Sequence, residues 1–137
     1  MPKRKPDSQL PPRRFPLATI ERHEGRVRRV CLALPEVTEK LSHGEATFFV
    51  GTRVFAMMST DHHDDGHLAV VIPLAESVQE ELVGRDPALY YVPPYVGTRG
   101  WIGIELPGLD DARLKQHLHE AWTLVAPKRL ASRGRPT

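Results

Sequence analysis

His62, His63, Asp64, Asp65 and His67 crowd into one short stretch of the chain. Imidazole and carboxylate are side chains that zinc and other divalent metals accept as ligands. A closed metal site, however, draws its ligands from separate rigid elements, and neighbouring His62 and His63 diverge. The stretch reads as a polar hairpin loop, with no metal and no cofactor expected. His43 before Gly44 reads as a turn. Cys31 falls on the apolar face of a helix, where a thiol behaves as a small hydrophobe. His117 and His119 stand two apart on a helix and so do not face each other. Asp64-Asp65, Glu80-Glu81 and Asp110-Asp111 look like loop or helix-surface acids. No phosphate-cradling glycine loop, dinucleotide fingerprint or nucleophile elbow occurs, so no catalytic residue is assigned and the chain reads as non-enzymatic.

The cations carry more information. Residues 1–16 hold Lys3, Arg4, Lys5, Arg13 and Arg14 against Asp7 alone, and residues 127–137 hold Lys128, Arg129, Arg133 and Arg135 with no acid. The net charge of +2 therefore leaves −6 on the intervening segment. Basic ends attract polyanions, and salt weakens that attraction. Arg22, Arg26, Arg28 and Arg29 add a cationic strip along the first helix.

The elements that must position these groups follow from periodicity. Prolines 2, 6, 11, 12 and 16 argue for a disordered arm over 1–16, a single domain spans 17–127, and a basic tail covers 128–137. A helix starts near Thr19, with Ile20, Val27, Val30, Cys31 and Leu34 inward and Arg22, Arg26 and Arg29 outward, and Pro35 ends it. Strands are expected at 47–50, 53–59, 68–72, 89–92 and 101–106, with helices at 75–83 and from Asp110 or Asp111 to Val125. The order α-β-β-β-α-β-β-α implies an α+β fold: two layers, a five-stranded antiparallel sheet with helices on one face. Val54, Ala56 and Met58, then Leu68, Val70 and Ile72, then Ile102, Ile104 and Leu106 should face the helices. Phe55, Met57, Ala69, Tyr91, Trp101 and Glu105 should form an open face. A single cysteine, the lack of an apolar secretory segment and the lack of an apolar run of about 20 residues point to a soluble cytoplasmic protein without a membrane partner.

Several segments, in this order, resemble the MmcQ/YjbR family: Cys31-Leu32-Ala33-Leu34-Pro35-Glu36-Val37, His43-Gly44, Phe48 to Ala56, Pro93-Pro94-Tyr95-Val96-Gly97, Gly100-Trp101-Ile102 and Ala121 to Val125. They cover most of residues 20–126. The chain departs from the family pattern at Ala121-Trp122, where a Ser-Tyr pair is common, and in its Pro/Arg-rich N-terminal arm. The resemblance implies a two-layer fold similar to secretion chaperones and frataxin-like proteins, and a double-wing mode of DNA binding.

Three functional expectations result. The first is a DNA-binding protein with weak, phosphate-directed contacts from Arg13, Arg14, Arg22, Arg26, Arg29, Arg53, Arg99, Lys128 and Arg129. In it Trp101, Tyr91 and Tyr95 are available to stack on bases. The second is a homodimer or protein-interaction module that uses the open sheet face. The third is a ligand binder with a pocket between Pro93-Pro94-Tyr95 and His43.

Overall fold

The computed structural model describes residues 14–131 of the chain. Most of the expected basic arm, Arg13 included, and the end of the tail lie outside the described residues. The elements run α1 (Leu17–Cys31), β1 (Val37–Ser42), β2 (Glu45–Val50), β3 (Arg53–Thr60), β4 (Leu68–Ile72), α2 (Val78–Arg85), β5 (Tyr90–Tyr91), β6 (Ile102–Glu105), α3 (Asp111–Val125) and α4 (Lys128–Ala131). All neighbouring strands pair antiparallel, in the order β1-β2-β3-β4-β6-β5. The α+β architecture is the expected one, but the sheet has six strands. The additional strand, β1, reads Val-Thr-Glu-Lys-Leu-Ser and occupies an edge. Its charged, largely exposed residues lack the clean alternation of a half-buried strand.

His23, Val27 and Cys31 form the buried stripe of α1, at i, i+4 and i+8. The N-cap of α1 is Pro16 rather than Thr19. In α3 the buried positions are Leu114, Leu118, Ala121, Trp122 and Val125, and the Asp110 carboxylate caps its start by accepting from the Arg113 N–H at 2.8 Å. Both helices cover the face of the sheet that carries Phe48, Ala56, Met58, Val70, Ile72, Ile102 and Ile104. The segment expected as tail starts as helix α4, whose Leu130 is 1% exposed and joins this core.

One irregularity re-sorts the faces. Thr47 and Phe48 pair with Met57 and Ala56, but Phe49 and Val50 pair with Val54 and Arg53. Phe55 is therefore the extra residue of a β-bulge, which turns its side chain into the core at 0% exposure and moves Val54 outward. Phe55 is thus corrected from open-face to core residue. Ala69 and Trp101 keep the outer parity but are buried, at 0% and 9% exposure. The outer face is consequently not a bare apolar platform. Across it Lys40, Thr47, Met57, Val71, Gly103 and Tyr91 form one row through all six strands. Gly103 permits this: the Tyr91 ring lies on it so closely that a Cβ there would sit 2.2 Å from the ring.

Candidate functional site

The antiparallel register sorts the connections to two ends of the sheet. One end gathers the segment before β1, the β2–β3 turn, the exit of β4 and the 92–101 connection. The other gathers the β1–β2 turn, the 61–67 loop, the entry to β5 and the exit of β6. His43 (φ +53°) and Gly44 (φ +79°) make the two-residue β1–β2 hairpin turn, both left-handed. They stand at the opposite end from Pro93-Pro94-Tyr95, so the pocket expected between those segments does not exist.

The first end is basic. Arg53 is exposed where β3 leaves the Gly51-Thr52 turn. Arg99 closes a 3-10 turn, Val96–Arg99, with its guanidinium 5.9 Å from the centre of the Trp101 ring. Gln79 of α2 pins this connection by donating to the carbonyls of Gly97 at 2.8 Å and Trp101 at 2.6 Å. The N-cap of the turn, Tyr95, has φ +63° and is 87% exposed. Of the three rings expected to stack, Tyr95 is therefore the accessible one. Trp101 is buried, and Tyr91 is stacked on His67, with ring centres 3.6 Å apart and planes 5° apart. Lys128 and Arg129 come to the same end, because Arg129 donates to the Glu36 carboxylate at 2.9 Å just before β1. Arg29, exposed, lies near the C-terminus of α1, which leads into the same segment.

Other expected cations are engaged in holding the fold. Arg26 was expected on the outer face of α1, but its side chain is only 15% exposed. It donates to the Leu106 carbonyl at 2.9 Å, to the Leu109 carbonyl and to the Asp111 carboxylate at 2.7 Å, and it lies 3.0 Å from His23 Nδ1. Arg28 forms a two-pronged pair with Glu39 of β1, at 2.7 and 2.8 Å, and this holds the Glu39 carboxyl below its ordinary range. Arg22 contacts His23 Nε2 at 3.4 Å. Arg14 pairs with Asp61 at 3.3 Å, at the opposite end of the sheet from Arg53.

That second end is acidic: Glu45, Asp61, Asp64, Asp65 and Glu105 converge on it. The Glu45 carboxylate accepts from the Thr60 N–H and hydroxyl, each at 2.8 Å, and lies 3.4 Å from His62 Nδ1. His67 Nδ1 bonds the Glu105 carboxylate, and the His67 ring stacks on Tyr91. A cleft of about 370 Å³ opens here, with Gly66, His67, Tyr91 and Glu105 on one side and Pro87 and Pro107 as apolar walls. Sequence reasoning missed the His67–Glu105–Tyr91 group, because its members are brought together only by β4–β6–β5 pairing. Among the described residues no group of three or more His, Cys, Asp and Glu could hold a metal ion. Cys31 is fully buried, and burial raises its thiol far above the reactive range.

Two imidazoles, buried His23 and half-buried His117, set an acid limit on stability. Burial, then Arg26 and Arg22, lowers His23. Burial, aided by Arg113 and opposed by Glu120, lowers His117. Arg113 donates to the Tyr90 oxygen at 3.0 Å, and His117 Nε2 shares a hydrogen bond with the same oxygen at 2.8 Å. The unfolded chain takes up protons near the ordinary value of about 6.5 while the folded chain resists them. Stability is therefore complete above pH 6.5 and falls as pH drops through and below it. Urea midpoints at pH 7.5 and 5 should differ in that direction, and His117→Gln, which keeps a hydrogen-bonding group for Tyr90 but does not titrate, should reduce the difference.

The family model for YjbR matches residues 32–124, well over half of the sequence. The chain belongs to the YjbR family. No curated protein matches it. The fold of this YjbR protein is similar to that of the crystal structure of Deinococcus radiodurans protein DR2400, which carries a domain of the DUF419 family model. That likeness has a TM-score of 0.64 at 20% identity and covers 79% of this chain and 84% of that one. The matched segment of this YjbR chain includes both sheet ends, with the Arg53–Arg99 edge and the His67 cleft. Among the described residues, no helix is long and apolar enough to cross a membrane.

Proposed function

We propose that this YjbR-family protein is a non-enzymatic, cytoplasmic DNA-binding protein that contacts phosphates with the basic end of its sheet. The supporting observation is the separation of charge along the strands. Arg53, Arg99, Lys128 and Arg129, the last paired with Glu36, stand at one end with exposed Tyr95, while Asp61, Asp64, Asp65, Glu45 and Glu105 stand at the other with Arg14. A body of net negative charge repels a polyanion unless its cations are gathered, and here they are. Arg133 and Arg135 follow Ala131 in the sequence. Nothing in this arrangement supplies a paired donor–acceptor set for reading base edges, so binding is weak and largely indifferent to sequence.

Fluorescence anisotropy of the full-length chain with labelled duplex and single-stranded oligonucleotides, over a salt series, tests this reading. Non-specific binding should fall in the range of about 10⁻⁴–10⁻⁶ M at physiological salt. Arg53→Ala with Arg99→Ala should weaken it for every sequence and reduce the logarithmic salt slope by about 1.8 for duplex. Tyr95→Ala should weaken the single strand more than the duplex. Absence of binding by the full-length chain at low salt would end the proposal.

A protein partner or second copy is favoured at a different place from the outer sheet face. Edge strand β1 carries Leu41 at 79% exposure beside unpaired backbone groups. Light scattering should then show a dimer that Leu41→Lys dissociates; a monomer at all concentrations would remove the homodimer.

A further inference from the structure

We propose that the cleft between His67, Tyr91 and Glu105 binds a small organic cation, a guanidinium or a primary ammonium. The inference does not depend on nucleic-acid binding, which uses the opposite end of the sheet. The cleft's volume, about 370 Å³, lies in the range of small-molecule sites. Pro87, Ala88 and Pro107 in its lining supply apolar surface suited to an alkyl stem. Its charged member is Glu105, half-buried, and no lysine or arginine lines it. One oxygen of Glu105 is held by His67, which fixes the carboxylate, and the other accepts no bond among the described residues. A carboxylate so placed is a ready partner for a charge-assisted bond.

The surrounding field has the matching sign. After burial, the negative charges of Glu105, Asp65 and Glu45 are what raise the Tyr91 hydroxyl. The rim already shows the chemistry: the Arg14 guanidinium rests against Gly66, pairs with Asp61 at 3.3 Å and donates to the Asp64 carbonyl at 3.4 Å. Arg14 meets the outside of the loop, and the interior facing Glu105 is lined by none of the chain's described cations.

Titration of ¹⁵N-labelled full-length protein with n-butylguanidinium, followed by amide shifts, tests the site, with n-butylurea as the uncharged isostere. Saturable shifts confined to Gly66, His67, Ala88, Tyr91 and Glu105 are expected for the guanidinium. Glu105→Gln should weaken them roughly tenfold or more, the loss of one charge-assisted bond. Ala88→Phe, an exposed position on the lining, should block binding without touching the carboxylate. Glu80→Gln, on α2, should change nothing. Equal binding of the urea, unchanged affinity in Glu105→Gln with a native amide spectrum, or shifts spread over all acidic residues would each overturn the proposal. Repeating the titration with Lys3, Arg4, Lys5 and Arg13 changed to glutamine separates two sources of the cation. Tighter binding of the probe identifies the chain's own basic arm as the competitor, and unchanged binding excludes the arm, so that the cation comes from outside the chain.

Discussion

Trp122→Ala should lower the unfolding free energy by about 3–5 kcal/mol. Trp122 is the largest side chain buried without exposure, and it sits at the centre of the α3 stripe between Leu118 and Val125. Truncation removes the apolar area and leaves a cavity that the helices and sheet close only in part. It also removes a tether. The indole N–H donates to the Pro35 carbonyl at 3.2 Å, which joins α3 to the corner between α1 and β1. Trp122→Phe isolates that part: most of the volume stays, but the carbonyl loses its donor, at a cost of about 1–3 kcal/mol. Domains of this size have only about 5–15 kcal/mol in total, so the alanine variant should be partly unfolded at 37 °C. Urea denaturation monitored by circular dichroism measures both. A Trp122→Ala midpoint within error of the parent would refute the account of the core.

Arg26→Ala should be the second most damaging change, at about 2–4 kcal/mol. The guanidinium serves the carbonyls of Leu106 and Leu109 and the carboxylate of Asp111, and so ties α1 to the β6–α3 corner. Its removal takes the donor from the Leu109 carbonyl and the partner from Asp111, while the Leu106 carbonyl still accepts from the Leu109 N–H; a buried acceptor left unpaired costs about 1–3 kcal/mol. Arg26→Lys should recover only part of the loss, because an ammonium lacks the planar fork that reaches all three acceptors. The same variant separates two roles for this arginine. With its donors occupied inside the fold, Arg26→Ala should keep the parent's affinity for DNA under conditions where it remains folded. A variant of normal stability with lost affinity would restore Arg26 to the interface.

The inward face of α3 and the buried Val27 and Cys31 of α1 were legible in the chain, because apolar side chains at helical spacing have one stable way to be buried; His23 and Arg26, polar and yet inward, were not. The capping acid Asp110 and the His43-Gly44 turn were legible for a similar reason: each answers a local backbone requirement within a few residues. The resemblance carried by Leu34-Pro35, Phe48 to Ala56 and Pro93 to Gly97 matches the family found. Its unusual Ala121-Trp122 pair is simply buried core here, at 1% and 0% exposure.

Other features depended on neighbours far along the chain. Edge strand β1 owes its conformation to pairing with β2 and to Arg28 holding Glu39, and neither is encoded in an alternation of apolar residues. Phe55 reached the core through a bulge, a one-residue slip in pairing that inverts the faces and leaves no mark in composition. Arg26 and Arg53 look alike as sequence symbols, yet one spends its donors on carbonyls some 80 positions away and the other stands exposed at a turn.

Local backbone preference and amphipathic spacing therefore wrote the helices, the Asp110 cap and the fold class into the primary structure, since those forces act over a few residues. The separation of charge between the two sheet ends, and the meeting of His67, Glu105 and Tyr91, arose only on folding. Antiparallel register brings distant loops to a common edge, and Coulomb and hydrogen-bond energies depend on that distance, not on separation along the chain.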